Sequence, residues 1–176
     1  MGRVHRRACT AALGAALAAC SSYPNGPDTS LVSRGKVVAD RENFPRVADA
    51  IQPSCGTLDC HGHVARNWRV YGGRGLRINE DANPSDGETT ETEYEASYRS
   101  TVLLEPDAIS AVLADDGENP ERLSLIRKAR GHERHKGGTQ MMEGDSLDRC
   151  LTSWLQNKTD VDACMNVSDA PRPEIP

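Results

Sequence analysis

Large aromatic side chains are scarce in this chain, which holds one Phe, two Trp and four Tyr. Each aromatic normally buries ~150–250 Å², so a core built from so few is thin, and a bulky apolar group that is not protein is a candidate to complete it. A membrane-spanning run is also missing: the apolar stretch from Ala8 to Ala19 falls far short of the ~20 residues a bilayer demands. Positive charge is not in excess either. The formal net charge is −5, and no basic stripe is present that would bind nucleic acid. No nucleophile triad, phosphate loop or metal-hydrolase helix can be found, and Gly72-Gly73-Arg74-Gly75 is too short and unpatterned to cradle a nucleotide. No internal repeat is present.

What is there begins with an export signal. Arg3, Arg6 and Arg7 precede the apolar run, which is the pattern of a signal peptide over residues 1–19. The run ends in Leu17-Ala18-Ala19-Cys20, which resembles a bacterial lipobox; that resemblance implies that the Cys20 thiol is lipidated and that Cys20 becomes the first mature residue. An ordinary signal cut nearby, with Cys20 left free, is the alternative. Arg6-Arg7 is followed by Ala8-Cys9-Thr10, which does not resemble the twin-arginine motif, so general secretion is expected. Cleavage there removes three arginines and no acid, leaving a more acidic chain of single-domain size. An acidic surface gains nothing from an anionic bilayer, so acyl chains must anchor it, at about 0.8 kcal/mol per buried methylene. Ser21 and Ser22 lack the acidic signal that retains lipoproteins at the inner membrane. The expected location is therefore the bacterial cell envelope, lipid-anchored, with the outer membrane favoured and the domain in the periplasm.

Ser21 to Ser33 is rich in Ser, Pro, Asn and Gly and reads as part of a flexible tether over residues 20–40. A polar stretch from Asn79 to Glu93 and the proline-rich tail from Ser168 read as loop or linker, with the tail beginning at residue 166. The domain between, residues 41–165, is expected to be mostly α, a small helical domain with long loops. Asn43 is placed to cap a helix carrying Phe44, Val47 and Ile51, with Pro45 in its first turn. Thr90 or Thr92 starts a second, with Tyr94, Tyr98 and Val102 on one face. Pro106 opens a third that runs through Leu113. Asn119-Pro120 caps a short apolar turn containing Leu123, Leu125 and Ile126, and Asp145 caps a last helix with Leu147, Cys150, Leu151, Trp154 and Leu155 on one stripe. Asn67 to Ile78, with three glycines, is expected to be extended or looped.

The segment Cys55-Gly56-Thr57-Leu58-Asp59-Cys60-His61 carries the chemistry. Two thiols closed by a Cys-His pair are what covalent haem attachment requires: the thiols add to the haem vinyl groups and the adjoining His binds iron. Four residues separate the cysteines where two are usual, and Gly56 supplies backbone freedom for the longer loop. Two other readings remain open at this point. Cys55 and Cys60 could close a small disulfide with His61 solvated, or a zinc or copper ion could be held by Cys55, Cys60, His61 and His63, although adjacent ligands rarely reach one ion with good geometry.

Downstream, Leu123 to Gly131, then His135-Lys136-Gly137-Gly138, then Met141-Met142, then the helix with Trp154 resembles the carboxyl half of certain bacterial cytochrome c domains. In those, a His-x-Gly-Gly element precedes a final helix containing Trp. The likeness covers roughly residues 45–157. It implies a cytochrome c-like lipoprotein with one haem c, attached through Cys55 and Cys60, with His61 as proximal iron ligand. His135 is then the first choice for distal ligand and Met142, or its neighbour Met141, the second. Taken alone, His132 and His135 read as a solvated basic loop, and the methionines as packing residues. His63 lies too close to His61 to reach the other face. The basic cluster from Arg127 to Lys136 could pair with haem propionates. With the other cysteines assigned, Cys150 and Cys164 are expected to form a disulfide. The expected role is electron transfer to an extracytoplasmic redox protein, with no enzymatic activity beyond what a haem peroxidase would have. The alternative is a haem-free, disulfide-stapled envelope lipoprotein acting as a binding or structural module.

Overall fold

The computed structural model describes residues 38–79 and 87–167. The signal segment, Cys20, the tether up to residue 37 and the tail from Ser168 lie outside the described residues. Within them the chain is mostly helical, as its apolar spacing implies. The helices are α1 (Phe44–Cys55), α2 (Glu91–Val102), α3 (Pro106–Ala114), α4 (Ser124–Ala129), α5 (Ser146–Leu155) and α6 (Val161–Met165), with a 3₁₀ turn at Pro120–Arg122. Among the described residues β structure is limited to an isolated bridge between Tyr71 and Leu76, so 67–78 is a loop, as expected. No helix among the described residues is long and apolar enough to cross a membrane.

The caps explain where the helices start. Thr90 and Glu93 form a reciprocal capping box, so α2 begins at Glu91, and the polar stretch read as loop through Glu93 ends three residues earlier. Asp145 caps α5 by accepting from the Asp148 N–H at 2.8 Å. Asn43 does not cap α1. Its side chain makes no cap bond, and its N–H and side-chain amide both donate to the Asp40 carboxylate, at 3.1 and 2.8 Å. Asn119 likewise makes no cap and sits in the left-handed region instead.

The core is gathered at one side. Phe44, Val47 and Ile51 of α1 pack with Leu151, Trp154 and Leu155 of α5, and α6 closes on both helices. The Phe44 ring lies 5.3 Å from both Tyr98 and Trp154, so three of the few aromatics meet in one place. Trp154 Nε1 donates to the Asp40 carbonyl at 2.6 Å, which draws Ala39 and Asp40, assigned by sequence to the tether, into the packed domain. Helix α6, with five residues, is too short to show a helical period in sequence. The Cys150–Cys164 disulfide joins it to α5. Closing 14 residues contributes about 3 kcal/mol in the chain-entropy picture.

Candidate functional site

Pro53 removes a backbone donor near the end of α1, and the helix stops at Cys55 with Gly56 N–H donating to the Gln52 carbonyl at 3.0 Å. The chain then folds back on itself. His61 N–H donates to the Cys55 carbonyl at 2.8 Å, while Cys60 N–H and Gly62 N–H both donate to Thr57, each at 2.9 Å. The four residues between the cysteines thus form a closed, hydrogen-bonded turn. Arg66 clamps its far end, donating from Nε to the Cys60 carbonyl at 2.8 Å and from Nη2 to the Asp59 carbonyl at 2.9 Å. The turn packs so tightly that a methyl on Gly62 would collide with the Gly56 carbonyl, as would one on Gly75.

His61 is fixed at both ends of its peptide unit, since its carbonyl accepts from Val70 N–H at 2.9 Å. Its Nδ1 donates to the Trp68 carbonyl at 3.1 Å. A carbonyl can only accept, so the proton sits on Nδ1 and Nε2 keeps its lone pair, as a metal ligand requires. The Trp68 ring packs beside the imidazole with centroids 4.5 Å apart. Burial holds the His61 imidazole below its ordinary pKa; the Trp68 hydrogen bond works against that shift and the neighbouring His135 adds to it. Burial likewise pushes the Cys55 thiol up to about 12.

His135 comes from the loop between α4 and α5. The neck of that loop is closed where Gln140 and Met141 N–H groups donate to the Ala129 carbonyl, at 2.8 and 3.1 Å. A buried pair, Arg130 to Asp148 at 2.8 Å, ties it to α5. At the tip, Gly138 N–H donates to the His135 carbonyl at 3.0 Å and its own carbonyl accepts from His135 Nδ1 at 3.2 Å. Gly137 leaves room for the ring, because a methyl there would lie 2.8 Å from His135 Cε1. The His-x-Gly-Gly element is therefore a turn that grips its own imidazole and again leaves Nε2 without a hydrogen bond.

Both imidazoles line one cavity of about 350 Å³, together with Cys55 and Cys60. An adjoining space of about 370 Å³ opens between His61 and His135 on the side of Lys136. The rings are nearly parallel, at 13°, with centroids 6.0 Å apart. An imidazole nitrogen binds a first-row metal at ~2 Å, so two rings sharing one ion have centroids about 6 Å apart. The centroid separation matches that distance. Among the described residues no group of three or more His, Cys, Asp or Glu could hold an ion by itself. A haem iron brings four nitrogens of its own and needs only two protein donors, so the donor set fits haem.

The structure brings together four of the residues singled out in the sequence and separates others. Met142, the second choice for distal ligand, is 64% exposed and does not line the cavity, while Met141 is fully buried in the core. His63 is exposed, and its Nδ1 accepts from Ala65 N–H. Cys55 and Cys60 are free thiols. In the basic cluster, Arg127 pairs with Glu133 and Arg130 with Glu121 and Asp148, so neither is directed to the cavity. The cationic residues that line it are Arg66 and Lys128, with Lys136 beside the adjoining space. Sequence reasoning missed Trp68, Arg66 and Gln140, and the apolar wall of Leu104 and Leu125. No protein-family model matches the chain, and no curated protein or solved structure matches it either.

Proposed function

We propose that this protein is a c-type cytochrome, lipid-anchored through Cys20 in the bacterial cell envelope, that passes electrons to an extracytoplasmic redox protein through one haem. One observation carries the reading: Cys55, Cys60, His61 and His135 converge on one cavity with two parallel imidazoles 6.0 Å apart. A bound haem supplies a one-electron ferric/ferrous couple. The chain's residues do the rest. Cys55 and Cys60 offer the thiols that become thioethers, and the Arg66 clamp keeps the four-residue turn between them folded. His61 and His135 would hold the iron through Nε2, each imidazole oriented by a backbone carbonyl on Nδ1. Trp68, Leu104 and Leu125 form the apolar wall, and Lys136, beside the adjoining space, is the cation placed to meet a propionate. Two histidine ligands lower the potential relative to a His/Met pair.

The test is a denaturing-gel haem stain with an absorption spectrum, on protein exported in a host with active cytochrome c maturation. A stain that survives denaturation and disappears in Cys55→Ala/Cys60→Ala is the expected result. A colourless protein whose Cys55 and Cys60 titrate as a disulfide would sink the cytochrome reading and leave a disulfide-stapled envelope lipoprotein.

A further inference from the structure

We propose that Ser97, Ser100 and Thr101 on α2 are positioning residues for His61, an inference that rests on the haem reading above. None of them lines the cavity. They act through the segment from Trp68 to Tyr71, which belongs to no strand and cannot satisfy its donors in a sheet. Arg69 N–H donates to Ser100 Oγ at 2.6 Å and Tyr71 N–H to Ser97 Oγ at 2.9 Å. Between and beside them, the Trp68 indole N–H donates to Thr101 Oγ1 at 2.9 Å.

The helical spacing explains why these three positions work together. Residues three and four apart share a face, so 97, 100 and 101 form a short comb of hydroxyls toward the loop. Thr101 Oγ1 donates its own proton to the Ser97 carbonyl at 2.9 Å, which leaves its lone pairs to receive the indole. Ser97 is fully buried and Thr101 nearly so. Serine and threonine weaken a helix interior, and apolar residues would pack there at lower cost. The comb gains something else. It fixes the backbone on either side of the Trp68 carbonyl, and that carbonyl holds the His61 Nδ1 proton, while Val70 N–H holds the His61 carbonyl. A firm Nδ1–H bond raises the basicity of a ligating imidazole and so stabilises the oxidised iron.

The experiment compares wild type, Thr101→Val, Thr101→Ser, Ser100→Ala and the remote hydroxyl control Ser110→Ala in the exported full chain. Two quantities are read: the midpoint potential, and the solvent exchange of the His61 Nδ1 proton by NMR in the ferrous state. Thr101→Val is expected to shift the potential upward and speed the exchange by about tenfold, the change that follows when a buried hydrogen bond weakens. Thr101→Ser restores both, Ser100→Ala moves both less in the same direction, and Ser110→Ala moves neither. Unchanged potential and exchange in a folded, haem-loaded Thr101→Val protein would overturn the proposal. If Thr101→Val fails to fold, Ser100→Ala decides it, and wild-type values there overturn it. If wild type takes up no haem, the cytochrome reading fails. The His61 proton exchange in the haem-free chain then decides: faster exchange in Thr101→Val supports the comb, and equal exchange refutes it.

Discussion

His61 is fixed at its backbone nitrogen, its carbonyl and its ring, by Cys55, Val70 and Trp68 in turn. His135 is held by the turn it closes with Gly138 and by a loop that Gln140 and Met141 close on Ala129 and that the buried Arg130–Asp148 pair ties to α5. The first, His61, lies in a turn whose glycines pack backbone against backbone, beside a segment whose Arg69 and Tyr71 donors are matched by α2. The second sits at a loop tip whose glycines meet no neighbouring segment: a methyl on Gly138 would have nothing within 4 Å. Two residues offering the same nitrogen to the same space therefore differ in how much structure must yield before they move. On this account His61 sets where the cofactor sits, and His135 completes the coordination.

The largest test of that difference removes the ligands one at a time. His61→Ala is expected to abolish stable haem incorporation, because the group that adjoins the attachment thiols is lost. His135→Ala is expected to keep the covalent stain and change the spectrum from low to high spin. Equal haem content and equal spectra in the two variants would erase the asymmetry.

Next in size is the glycine pair. Gly62→Ala drives a methyl into the Gly56 carbonyl and lies 2.9 Å from Gly75 Cα, so no flexible side chain can give way. It is expected to cost about 3 kcal/mol, the upper end of what an added methyl in a packed site costs. Gly138→Ala meets open space and pays only for its backbone at φ +67°, about 1 kcal/mol. Denaturant unfolding of both variants measures the gap.

The smallest expected effect is one of pH. Burial depresses the His61 pKa in the fold, below the ~6.5 of an unfolded histidine. Such a group contributes stability that is fully present above the unfolded value and is lost as pH falls through the folded one. The melting temperature of the haem-free domain is therefore expected to fall as pH drops from neutrality toward 5, and His61→Gln to flatten that slope.

Much of this was legible in the sequence, where the signal was local. Caps at Thr90 and Asp145, the apolar spacing of Phe44, Val47 and Ile51, and the cysteine-histidine run all act within a few residues of themselves. His135 stood out only through the resemblance; its own neighbours read as a solvated basic loop. What escaped depends on distant partners. Asn43, by contrast, is a local miss: its side chain makes no cap bond to α1 and its amide turns instead to Asp40, three residues back. Helix α6 has five residues and is joined to the domain by the disulfide. Trp68 meets His61 through its carbonyl and ring, and its indole reaches Thr101, 33 positions away. Met142 carries a ligating atom, but its exposure could not be read from its neighbours.

The central claim is that His61 and His135 share one iron, and electron paramagnetic resonance of the ferric exported protein tests it most directly. The account predicts a low-spin signal of the rhombic type that two near-parallel imidazole planes produce, lost to a high-spin signal in His135→Ala. A high-spin signal in the wild-type protein, or one that His135→Ala leaves unchanged, would contradict it.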